Sequence, residues 1–285
     1  MRSWQVGEVR ITQIVEVETA SLGGDPGGLV PQARPEAVMA LDWLSPHFAT
    51  PEGWLKFSIG AFLVETPQAA ILVDPGIGND KIRTMALFDR LNTDFLDRLA
   101  AAGCPREKIT NVLCTHLHSD HVGWNTMLVD GRWVPSFPQA RYHMGEREFA
   151  HASQSTQPQR QAMMADSVLP VVEAGLADFF AMDDRPFAQL QLIPTPGHSP
   201  GHVSVLIESQ GESAVISGDV MYHPCQIAHP EWHSLFDADR EEAEATRRAF
   251  LDRFAGTETL IIGSHFAGAA AGRVIRQGDA YRLLA

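Results

Sequence analysis

The 285-residue sequence predicts a mixed α/β fold, and three observations carry that prediction. Short apolar runs of strand length recur along the chain: Ala70 to Val73, Ile109 to Cys114, Leu190 to Ile193, Ala214 to Ile216 and Thr259 to Ile262. Stretches of helical period lie among them, the clearest in the C-terminal half being Glu241 to Phe254, amphipathic and charged on its outer face. Most of the apolar runs end at a turn holding a His or an Asp, which is where α/β folds gather their sites.

Taken in order, residues 4–18 alternate through Val9, Ile11, Ile14, Val15 and Val17, which fits one long or two short strands. Ser21 to Pro51 is rich in Gly and Pro, including Gly23-Gly24-Asp25-Pro26-Gly27-Gly28, and reads as an irregular segment with one short helix, Pro35 to Leu44. A loop of this length tends to be a functional cover. Its Trp43 and Phe48 suit a pocket wall or a simple anchor. Phe57 to Glu65 and Ala70 to Val73 read as a hairpin leading into the turn Asp74-Pro75-Gly76. Asn92 to Ala101 reads as a helix with Phe95, Leu96 and Leu99 on one face. Arg141 to His143 reads as a strand, 144–180 as mostly helical, and Arg273 to Arg276 and Tyr281 to Leu284 as closing strands. With no internal repeat and no low-complexity linker, 1–285 reads as a single domain.

The chemistry concentrates after the Ile109 run, in Thr115-His116-Leu117-His118-Ser119-Asp120-His121. Side chains two apart on an extended chain point the same way, so His116 and His118 can grip one metal ion. Asp120 and His121, further round the turn, can face a second position. Imidazole nitrogen and carboxylate oxygen are ligands that zinc and similar ions accept. Single candidates follow later apolar runs: His198 in Thr195-Pro196-Gly197-His198-Ser199-Pro200-Gly201-His202, Asp219 in Ser217-Gly218-Asp219, and His265 in Gly263-Ser264-His265. The lone His143 and His151 read as structural or surface groups, and His223, His229 and His233 as pocket-rim or surface groups.

The ordered set HxHxDH, GH, GD and SH resembles the metallo-β-lactamase fold hydrolases, over nearly the whole chain. The resemblance implies a four-layer αβ/βα sandwich, with strand-rich and helix-rich stretches alternating in two similar halves. It assigns His116, His118 and His198 to one metal, Asp120, His121 and His265 to a second, and Asp219 to a bridge between them. Zinc is the first expectation, with iron, manganese or cobalt also fitting the ligands. A water held between the ions as hydroxide would be the nucleophile, its pKa lowered to roughly 7. Asp74 matches the family's Asp-x-Gly turn and is expected to orient a ligand imidazole. No Ser or Cys nucleophile is required, and no GxSxG, P-loop or GxGxxG stands in a strand-to-helix context.

Within that family, the bridging Asp219 points away from the β-lactamases. The short tail after His265 leaves no room for a glutathione-binding extension, and Asp219 and His265 are too close for the inserted domain of nucleic-acid processors. What remains is the lactonase, arylesterase and organophosphate-hydrolase group. Tyr222, three residues past Asp219, matches a Tyr of N-acyl homoserine lactonases. Its hydroxyl would bond the substrate carbonyl or assist the leaving alkoxide, and Tyr222 and Asp120 are the expected catalytic residues. The wording His121-Val122-Gly123-Trp124-Asn125 is closer to methyl-parathion-hydrolase-like members. The expected activity is hydrolysis of lactones or aryl esters, with side activity on phosphotriesters. An iron-dependent oxidoreductase of dioxygenase type and a thioester hydrolase are the alternatives.

The net charge of −13 opposes nucleic-acid binding, which needs a basic surface. No apolar run approaches the ~20 residues that span a bilayer, and no secretory signal is visible. Three widely spaced cysteines, Cys104, Cys114 and Cys225, suit reduced thiols in a cytoplasmic protein. A small-molecule substrate is the expected partner. The aromatic-rich N-terminal segment suits a homodimer as readily as a pocket.

Overall fold

The structure, a computed structural model, describes residues 2–21, 28–278 and 280–285. Most of the glycine-rich run expected to be irregular, Gly23 to Gly28, therefore lies outside the described residues. β1 (Arg2–Val6) and β2 (Val9–Ala20) pair antiparallel, so residues 4–18 hold two strands. They are joined at Gly7, whose φ of +53° suits glycine. α1 (Pro35–Met39) starts with Pro at a first-turn position, where its missing N–H costs nothing. It ends before the expected Leu44, and turns carry the chain on towards Pro46. β3 (Lys56–Glu65) and β4 (Ala70–Val73) form the expected antiparallel pair. α2 (Phe95–Ala101) buries Phe95 and Leu99, the apolar face read from the sequence.

β5 (Asn111–Leu113) follows, then the hairpin β6 (Thr126–Val129) and β7 (Arg132–Pro135), then β8 (Arg141–Gly145). The 144–180 stretch is helical through α3 (Glu146–Ser153), α4 (Pro158–Met163), a π turn at Met164–Val168 and α5 (Leu169–Glu173). It closes in a strand that its polar joints conceal, β9 (Ala177–Phe180). The C-terminal half holds β10 (Leu190–Pro194), β11 (Val203–Ser209), β12 (Glu212–Ile216), α6 (Cys225–Ala228), α7 (Arg240–Phe254), β13 (Leu260–Ile262), β14 (Ala271–Gln277) and β15 (Ala280–Leu284). β6, β7 and β11 were not among the expected strands. α7 opens on a capped turn, the Asp239 side chain accepting from the Glu242 amide at 3.0 Å.

The chain groups into two compact units, Met1–Val17 with Ile59–Asp184, and Glu18–Ser58 with Arg185–Ala285. The seven-stranded sheet of order β1-β2-β3-β4-β5-β8-β9 belongs to the first unit, apart from the ends of β2 and β3. β4, β5, β8 and β9 are parallel neighbours, so their carboxyl ends lie along one edge. The central residues of β4 and β5 are buried, as continuous apolar runs in parallel sheets are. Phe95, Leu99, Ile109, Val112, Phe137, Tyr142 and Val168 pack into one core cluster beside that sheet.

The second unit carries the six-stranded sheet of order β10-β11-β12-β13-β14-β15. Here β12 and β13 are parallel, with Ile216 beside Ile262, and antiparallel β11 puts Val205 against Ile216. The β10–β11 loop and the exits of β12 and β13 thus share one edge of this sheet. Among the described residues, no helix is long and apolar enough to cross a membrane.

Candidate metal centre

Each unit builds a cluster of ligand-type side chains at the carboxyl ends of its central strands. In the first unit the chain leaves β5 at Cys114 and is caught at once by Asp74, which follows the neighbouring parallel strand β4. The Thr115 amide donates to Asp74 Oδ1 at 2.7 Å and the Thr115 hydroxyl to Oδ2 at 2.8 Å. Asp74 has a φ of +51°, a left-handed conformation that Asp tolerates better than most residues.

His116 Nδ1 lies 3.1 Å from the Thr115 hydroxyl, whose own hydrogen is directed to Asp74. Nδ1–H is therefore the donor, and Nε2 keeps the lone pair. His121 Nδ1 lies 3.0 Å from Asp74 Oδ2. The turn closes with the His121 amide donating to the His118 carbonyl at 3.0 Å. The ring centroid of His116 is 4.6 Å from that of His118 and 4.2 Å from that of His121. Ligand atoms of His116 and His118, of His116 and His121, and of Asp120 and His121 lie within 4.8 Å of each other. His116 and His121 are buried, while His118 and Asp120 are half-buried.

Two supports of this loop carry no sequence signal. Glu148, buried on α3, accepts from the Leu117 amide at 3.2 Å, yet in the sequence it reads as one more charge on a helix. Glu16 of β2 accepts from the Ile77 amide at 2.6 Å and from Trp124 Nε1 at 2.7 Å, clamping the loop where it leaves the motif. Burial pushes the Glu16 carboxyl up, against these hydrogen bonds. Gly123 is required there, because a Cβ would stand 1.7 Å from the Ile77 carbonyl oxygen.

In the second unit, His198 comes from the β10–β11 loop, Asp219 from just past β12 and His265 from just past β13. Asp219 Oδ2 lies 3.6 Å from His198 Nε2, and Asp219 Oδ1 lies 3.2 Å from His265 Nε2. One carboxylate thus turns a different oxygen to each imidazole. His265 Nδ1 is 3.2 Å from the Ser58 carbonyl, and His198 Nδ1 is 3.3 Å from Asp237 Oδ1, so both rings point Nε2 towards Asp219. The Asp237 side chain is buried and also accepts from the Ser234 amide at 2.9 Å. Its Oδ2 lies 3.5 Å from Arg247 of α7, whose buried guanidinium donates to the carbonyls of Val220, Pro230 and Trp232. The chain Arg247–Asp237–His198 leaves no mark in the sequence, since Asp237 sits in a loop with no spacing cue.

His202, quoted with His198 but given no role from sequence, also holds the site. Its Nε2 accepts from the Asp219 amide at 2.8 Å while Nδ1 faces the Thr195 carbonyl at 3.0 Å. Tyr222 is buried, stacked on His265 with centroids 5.0 Å apart at 9°, and edge-on to His198 at 5.4 Å. Gly197-His198-Ser199-Pro200-Gly201 spells GxSxG, but it lies between two antiparallel strands, not at the strand-to-helix elbow of a serine hydrolase.

His223 departs from the expected rim or surface position and is fully buried. Its Nε2 donates to the Phe48 carbonyl at 2.7 Å and its Nδ1 accepts from the Cys225 amide at 3.0 Å. Burial pushes its pKa down to about 4. Phe48 is buried too, against His223 and Phe266, so it anchors the N-terminal segment. His143 is half-buried and bonded to Asn111 at 2.9 Å, a structural group as expected.

The donor chemistry fits divalent metal. The first unit offers three imidazoles and a carboxylate, and the second offers two imidazoles and a carboxylate with one oxygen for each ring. Nitrogen and oxygen donors of this kind suit zinc, iron, manganese or cobalt. The three cysteines are buried and free of disulfides, and burial raises their thiol pKa values, so none is an activated nucleophile.

Residues 57–265 match the model of the metallo-beta-lactamase superfamily. The chain belongs to that superfamily. Its relatives include the N-acyl homoserine lactonase AiiA of Bacillus thuringiensis subsp. kurstaki, 25% identical over 195 residues, covering 64% of this chain and 71% of that protein. An N-acyl homoserine lactonase of a Bacillus species is 25% identical over 179 residues, and that match spans 65% of the lactonase's length. Among solved structures, the hydrolase AbOPH of the beta lactamase superfamily superposes with a TM-score of 0.80 at 24% identity, over 99% of this chain and 96% of that one. AidC, a dizinc quorum-quenching lactonase, superposes with a TM-score of 0.81 at 20% identity over the same shares. The fold is therefore the metallo-beta-lactamase fold, mixed α/β with several sheets, in keeping with the expected αβ/βα sandwich.

Proposed function

We propose that this member of the superfamily is a dinuclear metal-dependent hydrolase of lactones or carboxylic (aryl) esters, acting on a small-molecule substrate in the cytoplasm. In this reading the two units work as one domain. His116, His118 and His198 would hold one ion, Asp120, His121 and His265 would hold the second, and Asp219 would serve both. The observation that carries it is Asp219, whose oxygens face His198 and His265 separately at 3.6 and 3.2 Å. A carboxylate with one imidazole at each oxygen is what a bridge between two cations needs. The lactonase and hydrolase relatives support the substrate class, and the dizinc centre of AidC supports zinc.

Two such ions, when bound, supply a Lewis acid for the substrate carbonyl and lower the pKa of water towards 7. The protein's own groups do the rest. Asp74 and Asp237 keep the His121 and His198 rings turned so that Nε2 is the ligand atom. Asp120, half-buried beside His121, takes the proton of the attacking water on a carboxylate oxygen. Tyr222, its ring fixed against His265, hydrogen-bonds the substrate carbonyl or donates to the leaving alkoxide. The same ions, when bound, would polarise a phosphoryl oxygen, which extends the proposal to side activity on phosphotriesters.

Metal content and turnover measured on one preparation test the reading. The panel holds acyl homoserine lactones, γ- and δ-lactones, aryl esters, a phosphotriester, a thioester and a β-lactam. About two zinc ions per chain with lactone or ester turnover, lost on chelation and restored by metal, is the expected result. One iron per chain with an inert panel and oxygen uptake would overturn it in favour of an oxidoreductase.

A further inference from the structure

The α3–α5 stretch brings one cation to the metal loop. Arg160, half-buried on α4, places Nη2 3.4 Å from His118 Nε2. Among the described residues this is the one hydrogen bond of its guanidinium, and no carboxylate pairs with it, although acidic residues outnumber basic ones by 35 to 22. A guanidinium offers five donors and no acceptor and stays charged, so only the lone pair of His118 can receive it. A neutral imidazole has a single lone-pair nitrogen. If His118 binds an ion through Nε2, the ion takes the acceptor that Arg160 uses. If it binds through Nδ1, Nε2 carries the proton and meets the guanidinium as a second donor. Either way, metal loading leaves a half-buried cation beside the ligands without its present acceptor.

We infer that Arg160 is a specificity-determining residue that binds a free carboxylate on the substrate, which makes the substrate a lactone or ester of an acid bearing a second, ionised carboxyl group. The inference rests on the hydrolase reading and on His118 as a ligand. The planar fork matches a carboxylate with two parallel hydrogen bonds, and a charged acceptor offsets the desolvation of a cation where an amide carbonyl would not. A local positive charge also counters the field of an acidic chain, which otherwise repels anionic substrates.

The test uses the metal-loaded full chain as wild type, Arg160→Gln and Arg160→Lys, with metal content measured on each sample. Two esters differ only in charge: mono-4-nitrophenyl adipate and its methyl-capped analogue, 4-nitrophenyl methyl adipate. Binding of adipate to the same samples is followed by calorimetry. The expected result is a preference of the wild type for the charged ester, carried mainly in KM. In Arg160→Gln the charged-to-neutral ratio of kcat/KM drops about tenfold or more, and adipate binding weakens to match at unchanged metal content. Arg160→Lys retains part of both. An equal loss on the two esters, or adipate affinity unchanged in Arg160→Gln, would overturn the inference. If the wild type cleaves neither ester, the hydrolase reading fails, and adipate binding alone then decides the role of Arg160.

Discussion

The two clusters of candidate ligands gather the same donor types by opposite routes. The first unit draws three imidazoles and a carboxylate from six consecutive residues on one loop, tied down by Asp74 from the adjacent strand end. The second assembles His198, Asp219 and His265 from three separate strand exits, and needs Asp237, His202 and the Ser58 carbonyl to aim them. A contiguous cluster is held by the local turn. A dispersed one is held only by sheet register and by buried partners from elsewhere. The second cluster should accordingly be the more sensitive to changes outside its ligands.

The largest effects test whether both clusters serve one reaction. His118→Ala in the first and Asp219→Ala in the second should each lower kcat/KM on a lactone or aryl ester by on the order of 10³-fold or more, with the far-ultraviolet circular dichroism retained. Near-normal turnover in either variant would show that its cluster is dispensable.

Removing the orienting carboxylates separates the clusters. Asp237→Ala should weaken metal binding by about 10–100-fold. It also leaves Arg247 buried without its ion partner, a loss of about 3–5 kcal/mol by denaturant titration. Asp74→Ala should weaken metal binding to a similar extent but leave no buried cation. Its cost in stability, about 1–3 kcal/mol for the Thr115 groups left unsatisfied, should be smaller. Equal destabilisation would remove the contrast between the two clusters.

The smallest effects are in pH dependence. In the second unit, burial lowers His223 to about 4 from the usual 6.5, so between these values the unfolded chain binds the proton and the folded chain does not. Its contribution is fully present above 6.5 and is lost as pH falls towards 4. In the first unit, burial lowers Lys81 to about 7 from 10.5, although Asp166 pulls the other way. Stability should therefore rise with pH between about 7 and 10.5. Lys81 is fully buried, donating to the Thr126 hydroxyl at 2.6 Å and the Asp166 carbonyl at 2.8 Å. His223→Asn should flatten the acid limb alone and Lys81→Met the alkaline limb alone. Unfolding free energies measured across the pH range would expose any crossover.

By itself, the sequence determined the α/β class and named the strand exits where the candidate ligands lie; the seven-residue set and the role expected of Asp74 came with the family resemblance. These are local matters. Apolar runs of strand length, a hairpin turn and a dense imidazole motif are written in neighbouring residues, and the family resemblance rests on the same words. Tertiary structure alone decided which groups aim the ligands. Glu148, Asp237, Arg247 and Arg160 read in sequence as ordinary surface charges, and His223 as a rim group, because burial is set by which segments pack together. It also decided that Asp219 shows one oxygen to each of two imidazoles, since that follows from the in-register pairing of β12 with β13 and β11. Spacing along the chain names the donors. Only the packing of distant strand ends fixes the direction in which each donor atom points.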